Sequence, residues 1–135
     1  MPRRYFVDTW FLIALTDRSD SDHHSAVRLD RSLRGAPFIT HDAVLTEMLT
    51  FYSGEGAAAR VIAVENARDA MRTYQVLPAD RRLFLRALDL YEQRLDKKYS
   101  LVDCMSMIVM EDYGIQHVLT NDHHFAQAGF TVINQ

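Results

Sequence analysis

Cysteine is almost missing: Cys104 stands alone among 135 residues. One cysteine closes no disulfide within the chain, so a packed core must do the work of staples, and a chain of this length can build one. Cys104 lies in an apolar run and is expected as a small buried hydrophobe. The scarcity suits a reducing compartment. Proline is confined to Pro2, Pro37 and Pro78. No Ser/Gly-rich join, internal repeat or low-complexity tract divides the sequence, and residues 1–135 are expected to form one domain. Long apolar runs are also missing; none approaches the ~20 residues a bilayer span requires. The opening MPRRYFVDTWFLIAL places two arginines before an apolar stretch, as a secretion signal does. Asp8 interrupts that stretch, and DRSDSD stands where a small-residue cleavage site belongs. A soluble, cytoplasmic protein is expected.

Positive charge is scarce at one end. The net charge is −3, which mildly disfavours a generic nucleic-acid binder. Its distribution is uneven. Residues 60–98 carry nine Lys/Arg against six Asp/Glu, whereas residues 99–135 carry four Asp/Glu and no Lys/Arg. A solvated helix face explains such a basic segment most simply; a basic rim beside an acidic pocket is the functional alternative. No lysine follows Lys98, which speaks against a receiver-like phosphoacceptor domain built on Asp8.

Short apolar runs alternate with helical patterns. Strands are expected at Tyr5–Val7, Phe38–Thr40, Gln75–Leu77, His117–Thr120 and Thr131–Ile133. Helices are expected over residues 9–15, 22–33, 42–52, 56–72, from Asp80 through Leu95, from Ser100 to Gly114, and briefly after Asp122. The long helix after Asp80 is expected to bury one face made of Phe84, Ala87, Leu88, Tyr91 and Leu95. Apolar strands separated by helices argue for a parallel sheet covered on both faces. Such sheets place their sites at the carboxyl ends of strands, where strand order switches.

Four carboxylates stand out against this frame. Asp8 ends the first strand and Asp122 follows the fourth. Asp103 sits in the first turn of SLVDCMSMIVM, and Glu47 lies within AVLTEMLTF. Each has an ordinary explanation. Asp8 and Asp122 suit helix N-caps, Ser100-x-x-Asp103 resembles a capping box, and Glu47 suits an arginine partner or water. Jointly they suggest more. An ionised carboxylate in apolar surroundings is costly, and several sharing one place raise each other's pKa. A hard divalent cation resolves the conflict, because Mg²⁺ takes oxygen ligands and water. The histidine pairs His23-His24 and His123-His124 are expected as exposed helix starts rather than metal ligands, with His124 the one member near the acidic residues.

YFVDTWFLIAL, THDAVLTEMLTF, SLVDCMSMIVMEDYGI and HVLTNDHHF, in this order, resemble the four signature regions of PIN-domain ribonucleases. Within that family the chain is most similar to the VapC-type toxins of toxin–antitoxin pairs. The resemblance implies an α/β/α sandwich with a five-stranded parallel sheet in the order 3-2-1-4-5. It implies Mg²⁺- or Mn²⁺-dependent hydrolysis of RNA, leaving 5′-phosphate and 3′-hydroxyl ends. It assigns catalysis and metal binding to Asp8, Glu47, Asp103 and Asp122, with the hydroxyls of Thr9 and Thr120 behind them. It further implies a homodimer and a partner antitoxin. A noncatalytic module that binds a basic partner segment in an acidic groove is the competing expectation.

Overall fold

The computed structural model describes residues 2–135. Its order is β1 (Tyr5–Val7), α1 (Thr9–Thr16), α2 (His23–Ser32), β2 (Phe38–His41), α3 (Asp42–Tyr52), α4 (Ala57–Thr73), β3 (Gln75–Leu77), α5 (Arg81–Gln93), α6 (Leu101–Asp112), β4 (His117–Leu119), α7 (His123–Gln127) and β5 (Thr131–Ile133). All four strand pairings are parallel, and the sheet runs β3-β2-β1-β4-β5. The expected strand order and fold class are those observed.

Parallel pairing forces a crossover between neighbouring strands, and crossovers of this kind are right-handed. From β1 the chain steps outward through α1–α2 to β2 and through α3–α4 to β3. It then returns past β1 to β4. Reversing the direction of travel moves the helices to the other face. The contacts agree: α1 packs on α2 and α3, and α3 on α4, while α6 packs on α5 and α7. The reversal falls between β1 and β4, so the switch point lies at their carboxyl ends.

The strands most enclosed are the central ones. Every residue of β1 and β2 is buried, whereas the edge strands β3 and β5 are half-exposed or exposed. Helix α6 is buried without interruption from Asp103 to Met110. A helix apolar on all sides has no water-facing stripe and belongs between other elements. Cys104 is fully buried there, as expected, with Met105, Met107 and Met110 filling the core. Among the described residues no helix is long and apolar enough to cross a membrane.

Helix α5 departs from expectation. It ends at Gln93, short of the expected Leu95; Leu83 and Ala87 are buried, with Phe84 and Leu90 partly so, while Leu88 and Tyr91 face outward, as does Leu95 in the turn beyond. The helix carries two apolar stripes at helical spacing. The one packed on α6 is shifted toward Leu83, and the second is left uncovered.

Candidate active site

Asp8 follows β1 directly, and its backbone N–H still donates to Leu119 O of β4 at 3.3 Å. The ladder therefore carries Asp8 to the switch point. It occupies the N-cap position of α1, but its side chain makes no capping bond. Its Oδ2 instead accepts a 2.6 Å hydrogen bond from the Thr120 hydroxyl just past β4. Thr120 is fully buried, and its Oγ1 also accepts the Asp122 N–H at 3.1 Å. One hydroxyl thus fixes two acidic residues at once.

Asp103 enters from α6. The capping box is real: the Asp103 N–H donates to Ser100 Oγ, and the Ser100 N–H donates to Asp103 Oδ2, both at 3.0 Å. The cap uses one carboxylate oxygen and leaves Oδ1 without a hydrogen bond among the described residues. Asp122 does cap α7, accepting the His124 N–H at 2.9 Å. The ordinary explanation therefore holds in part for Asp103 and Asp122 and fails for Asp8.

His124 links the two. Its Nδ1 lies 3.3 Å from Asp103 Oδ2 and 3.2 Å from Asp122 Oδ1. From the sequence His124 is expected as an exposed helix start; the structure instead half-buries it between the two carboxylates. The rings of His123 and His124 stand 4.6 Å apart, and both approach Asp122. The ligand atoms of Asp122, His123 and His124 lie within 4.8 Å of one another. A five-residue helix is too short for helical periodicity to predict where its side chains converge.

Electrostatics bring the rest together. Burial pushes Asp8 up to about 7; the charges of Asp103 and Glu47 add to the rise, against hydrogen bonds from Thr120 and Thr9. Burial also raises Asp103, with the Asp122 charge adding and the Ser100 and His124 contacts opposing. Cys104 is pushed up to about 11 by burial and by Asp103. Carboxylates that raise one another share one place. Glu47 belongs to it electrostatically but is exposed. Of its two ordinary explanations, water is the one observed, because α3 turns only Val44, Leu45, Met48 and Tyr52 inward. Thr9 is buried, and its hydroxyl has no hydrogen-bond partner among the described residues.

Two further polar residues lie on the core side of the pole. His41, at the end of β2, is fully buried; its Nε2 lies 2.9 Å from the hydroxyl of Ser106, one turn along α6 from Asp103. Burial pushes His41 down to about 4. A histidine beside a strand end carries no sequence signal that separates this role from a surface one.

A parallel sheet with buried carboxylates gathered at its switch point defines the class: an α/β domain with an acidic site fed by two strand ends and two helix starts. The chain belongs to the PIN domain family, whose model matches residues 5–131. It is 32% identical over 129 residues to the 23S rRNA-specific endonuclease VapC20 of Mycobacterium tuberculosis, covering 95% of this chain and 96% of that one. The crystal structure of VapC20, described as a Sarcin-Ricin loop cleaving toxin, matches with TM-score 0.85 and 30% identity over 97% of this chain and 99% of that one. FitAcB from Neisseria gonorrhoeae matches with TM-score 0.72 and 14% identity over 96% of each chain, a likeness of fold alone.

Proposed function

We propose that this chain is a metal-dependent endoribonuclease that hydrolyses RNA phosphodiester bonds at the acidic pole, and that it serves as the toxin of a type II toxin–antitoxin pair in the cytoplasm. The observation that carries the reading is Asp8. It is an enclosed carboxylate that spends no bond on capping; burial pushes its pKa up to about 7, and the charges of Asp103 and Glu47 add to the rise. The identity to VapC20 along nearly the whole chain supports the same chemistry.

The residues fit a divalent cation. Acidic groups from four elements surround one place, and among the described residues the buried Thr9 hydroxyl has no partner and Asp103 Oδ1 makes no hydrogen bond. Oxygen donors of this kind suit Mg²⁺ or Mn²⁺. Asp8, Glu47, Asp103 and Asp122 would hold the ion, with Thr9 and Thr120 behind them. When bound, it supplies positive charge to the developing phosphorane and makes water a better nucleophile. The chain's own groups do the positioning. Thr120 orients Asp8 and Asp122 through one hydroxyl. His124 bridges Asp103 and Asp122, and Ser100 fixes the Asp103 rotamer. Asp8 and Asp103 sit at the starts of α1 and α6, whose positive dipole ends favour an incoming phosphate.

Two protein partners belong to the reading. The uncovered α5 residues Leu85 and Leu88 suit a second copy of the chain, and sedimentation velocity distinguishes one copy from two. Phe51, Tyr52 and Ile62 line a cleft of about 650 Å³ between the end of α1 and helices α3 and α4, which suits an apolar segment of an antitoxin.

The test uses 23S ribosomal RNA as first substrate, with Mg²⁺ or EDTA, and wild type beside Asp103→Asn. Cleavage by wild type alone, only with the cation, and with 5′-phosphate ends is expected. The variant should lose on the order of 10³-fold in rate. Cyclic 2′,3′-phosphate ends would contradict the chemistry. Absence of cleavage on any RNA, with partner binding retained, would leave the noncatalytic module.

A further inference from the structure

A second cavity, of about 370 Å³, lies at the C-terminal end of α5, with walls that include Tyr91, Arg94, Lys97, Lys98, Tyr99 and Ser100. It adjoins the acidic pole. Ser100 is the residue whose N–H holds Asp103, and the Tyr99 ring stands edge-on to that of His124, centroids 5.6 Å apart.

Its chemistry is opposite to that of the pole. Lys97 and Lys98 are the only lysines in the chain, and Arg94 joins them. The nearby carboxylate of Asp96 accepts from Arg94 Nε and from one terminal nitrogen, both at 3.2 Å. That pair is exposed on both sides, and an ion pair in water is weak enough to exchange one anion for another. Tyr99 supplies a second, independent sign. The residue is 6% exposed and its hydroxyl has no hydrogen-bond partner among the described residues. Buried hydroxyls are normally paired.

At the acidic pole the carboxylates repel every phosphate that a bound cation does not neutralise, and the segment that follows Lys98 has no Lys or Arg to hold the flanking strand. The strand must therefore be held by cations outside the pole. We propose that this cavity seats a backbone phosphate of the RNA flanking the one cleaved, with Lys97, Lys98 and Arg94 as charges and the Tyr99 hydroxyl as donor. The proposal rests on the nuclease reading of the acidic pole.

Its test separates the two. Fluorescence anisotropy of a single-stranded RNA on Asp103→Asn protein measures binding without cleavage. Adding Lys97→Ala and Lys98→Ala is expected to weaken binding about 10-fold or more and to lower the slope of log K against log salt by about 1. Tyr99→Phe is expected to weaken it about 3- to 10-fold without lowering the thermal midpoint, because the lost hydroxyl had no partner among the described residues. In the otherwise unaltered enzyme the lysine variants should raise KM and keep kcat. Sedimentation velocity of the same variants must show the wild-type oligomeric state, since α5 also carries the proposed dimer stripe; a changed state would overturn the assignment. Unchanged affinity and salt slope would overturn it too, as would a fall in kcat at constant KM, which would make these residues supports for Asp103. Full competition by adenosine 5′-monophosphate would assign the cavity to free nucleotides instead. RNA binding that depends on the lysines in a protein that cleaves nothing would keep the phosphate seat and discard the nuclease.

Discussion

Helix α6 carries an aspartate at each end, and the protein treats them oppositely. Asp103, in the first turn, is 8% exposed, and burial raises its pKa. Asp112, in the last turn, is exposed and forms a two-pronged ion pair with Arg86 of α5, at 2.5 and 2.9 Å, which lowers its pKa. By helix-dipole logic Asp103 sits at the favourable end and Asp112 at the unfavourable one. Yet the charge at the unfavourable end is the one made comfortable. The dipole, worth well under about 2 kcal/mol at such sites, loses to solvent and to a nearby guanidinium. Burial disfavours the charged form of Asp103 even with its capping box and the dipole in its favour. The comparison separates charges that serve the fold from charges the fold tolerates.

Asp8 sits on the tolerated side, and its replacement breaks the comparison most strongly. An acid whose folded pKa stands above its unfolded value gives stability that is full below the unfolded value and lost as pH rises through the folded one. For Asp8 the window runs from 3.8 to about 7, a loss of about 4 kcal/mol at about 1.4 kcal/mol per unit. His41 runs the other way. Its stabilisation is present above 6.5 and is lost as pH falls to about 4, roughly 3 kcal/mol in total. In metal-free wild type the two slopes oppose each other between about pH 4 and 6.5. Asp8→Asn, measured by urea unfolding in EDTA, is therefore expected to be more stable than wild type at pH 8 by up to about 4 kcal/mol. At pH 4 it should be nearly equal, with stability rising with pH between. Cleavage should be lost throughout, and Mn²⁺ should raise the thermal midpoint of wild type only. A variant less stable than wild type at pH 8 would move Asp8 to the side of charges that serve the fold.

The middle of α6 sharpens the comparison with an uncharged case. Ser106 is fully buried and bonds His41 Nε2, while His41 Nδ1 has no partner among the described residues. Ser106→Ala leaves the imidazole with no hydrogen bond, at a cost of about 1–3 kcal/mol. The loss should appear in urea midpoints with kcat for RNA kept. A parallel loss of kcat would show that this pair also sets the position of Asp103.

These positions and their neighbours mark how far the sequence is legible. The strands themselves, the α6 capping box and the four acidic positions follow from patterns confined to a few neighbouring residues: strand ends, cap spacing and a carboxylate in an apolar run; the strand order came only from the family resemblance. What stayed hidden depends on which of two plausible faces is turned inward. Both stripes of α5 are apolar, and only its packing on α6 decides for Leu83 over Leu88. Glu47 looked enclosed because its sequence neighbours are apolar, but on α3 those neighbours point elsewhere. His41, His124 and Tyr99 meet their partners across 65, 21 and 25 positions of chain, beyond any local pattern.

The smallest effect tests the comfortable end. Asp112→Asn removes the Arg86 pair, whose members are each 42% exposed. Pairs of that kind contribute about 0.2–1 kcal/mol. The loss of stability is partly returned, because a negative charge leaves the carboxyl end of α6. Raising salt to about 1 M shrinks the Debye length to about 3 Å and should erase what difference remains. Cleavage should not change, because Asp112 lies nine residues from Asp103 at the far end of the helix. A loss larger than about 1 kcal/mol that persists in high salt would mean that Arg86 and Asp112 clamp α5 onto α6. The two ends of α6 would then differ in how each is satisfied rather than in whether the fold depends on them.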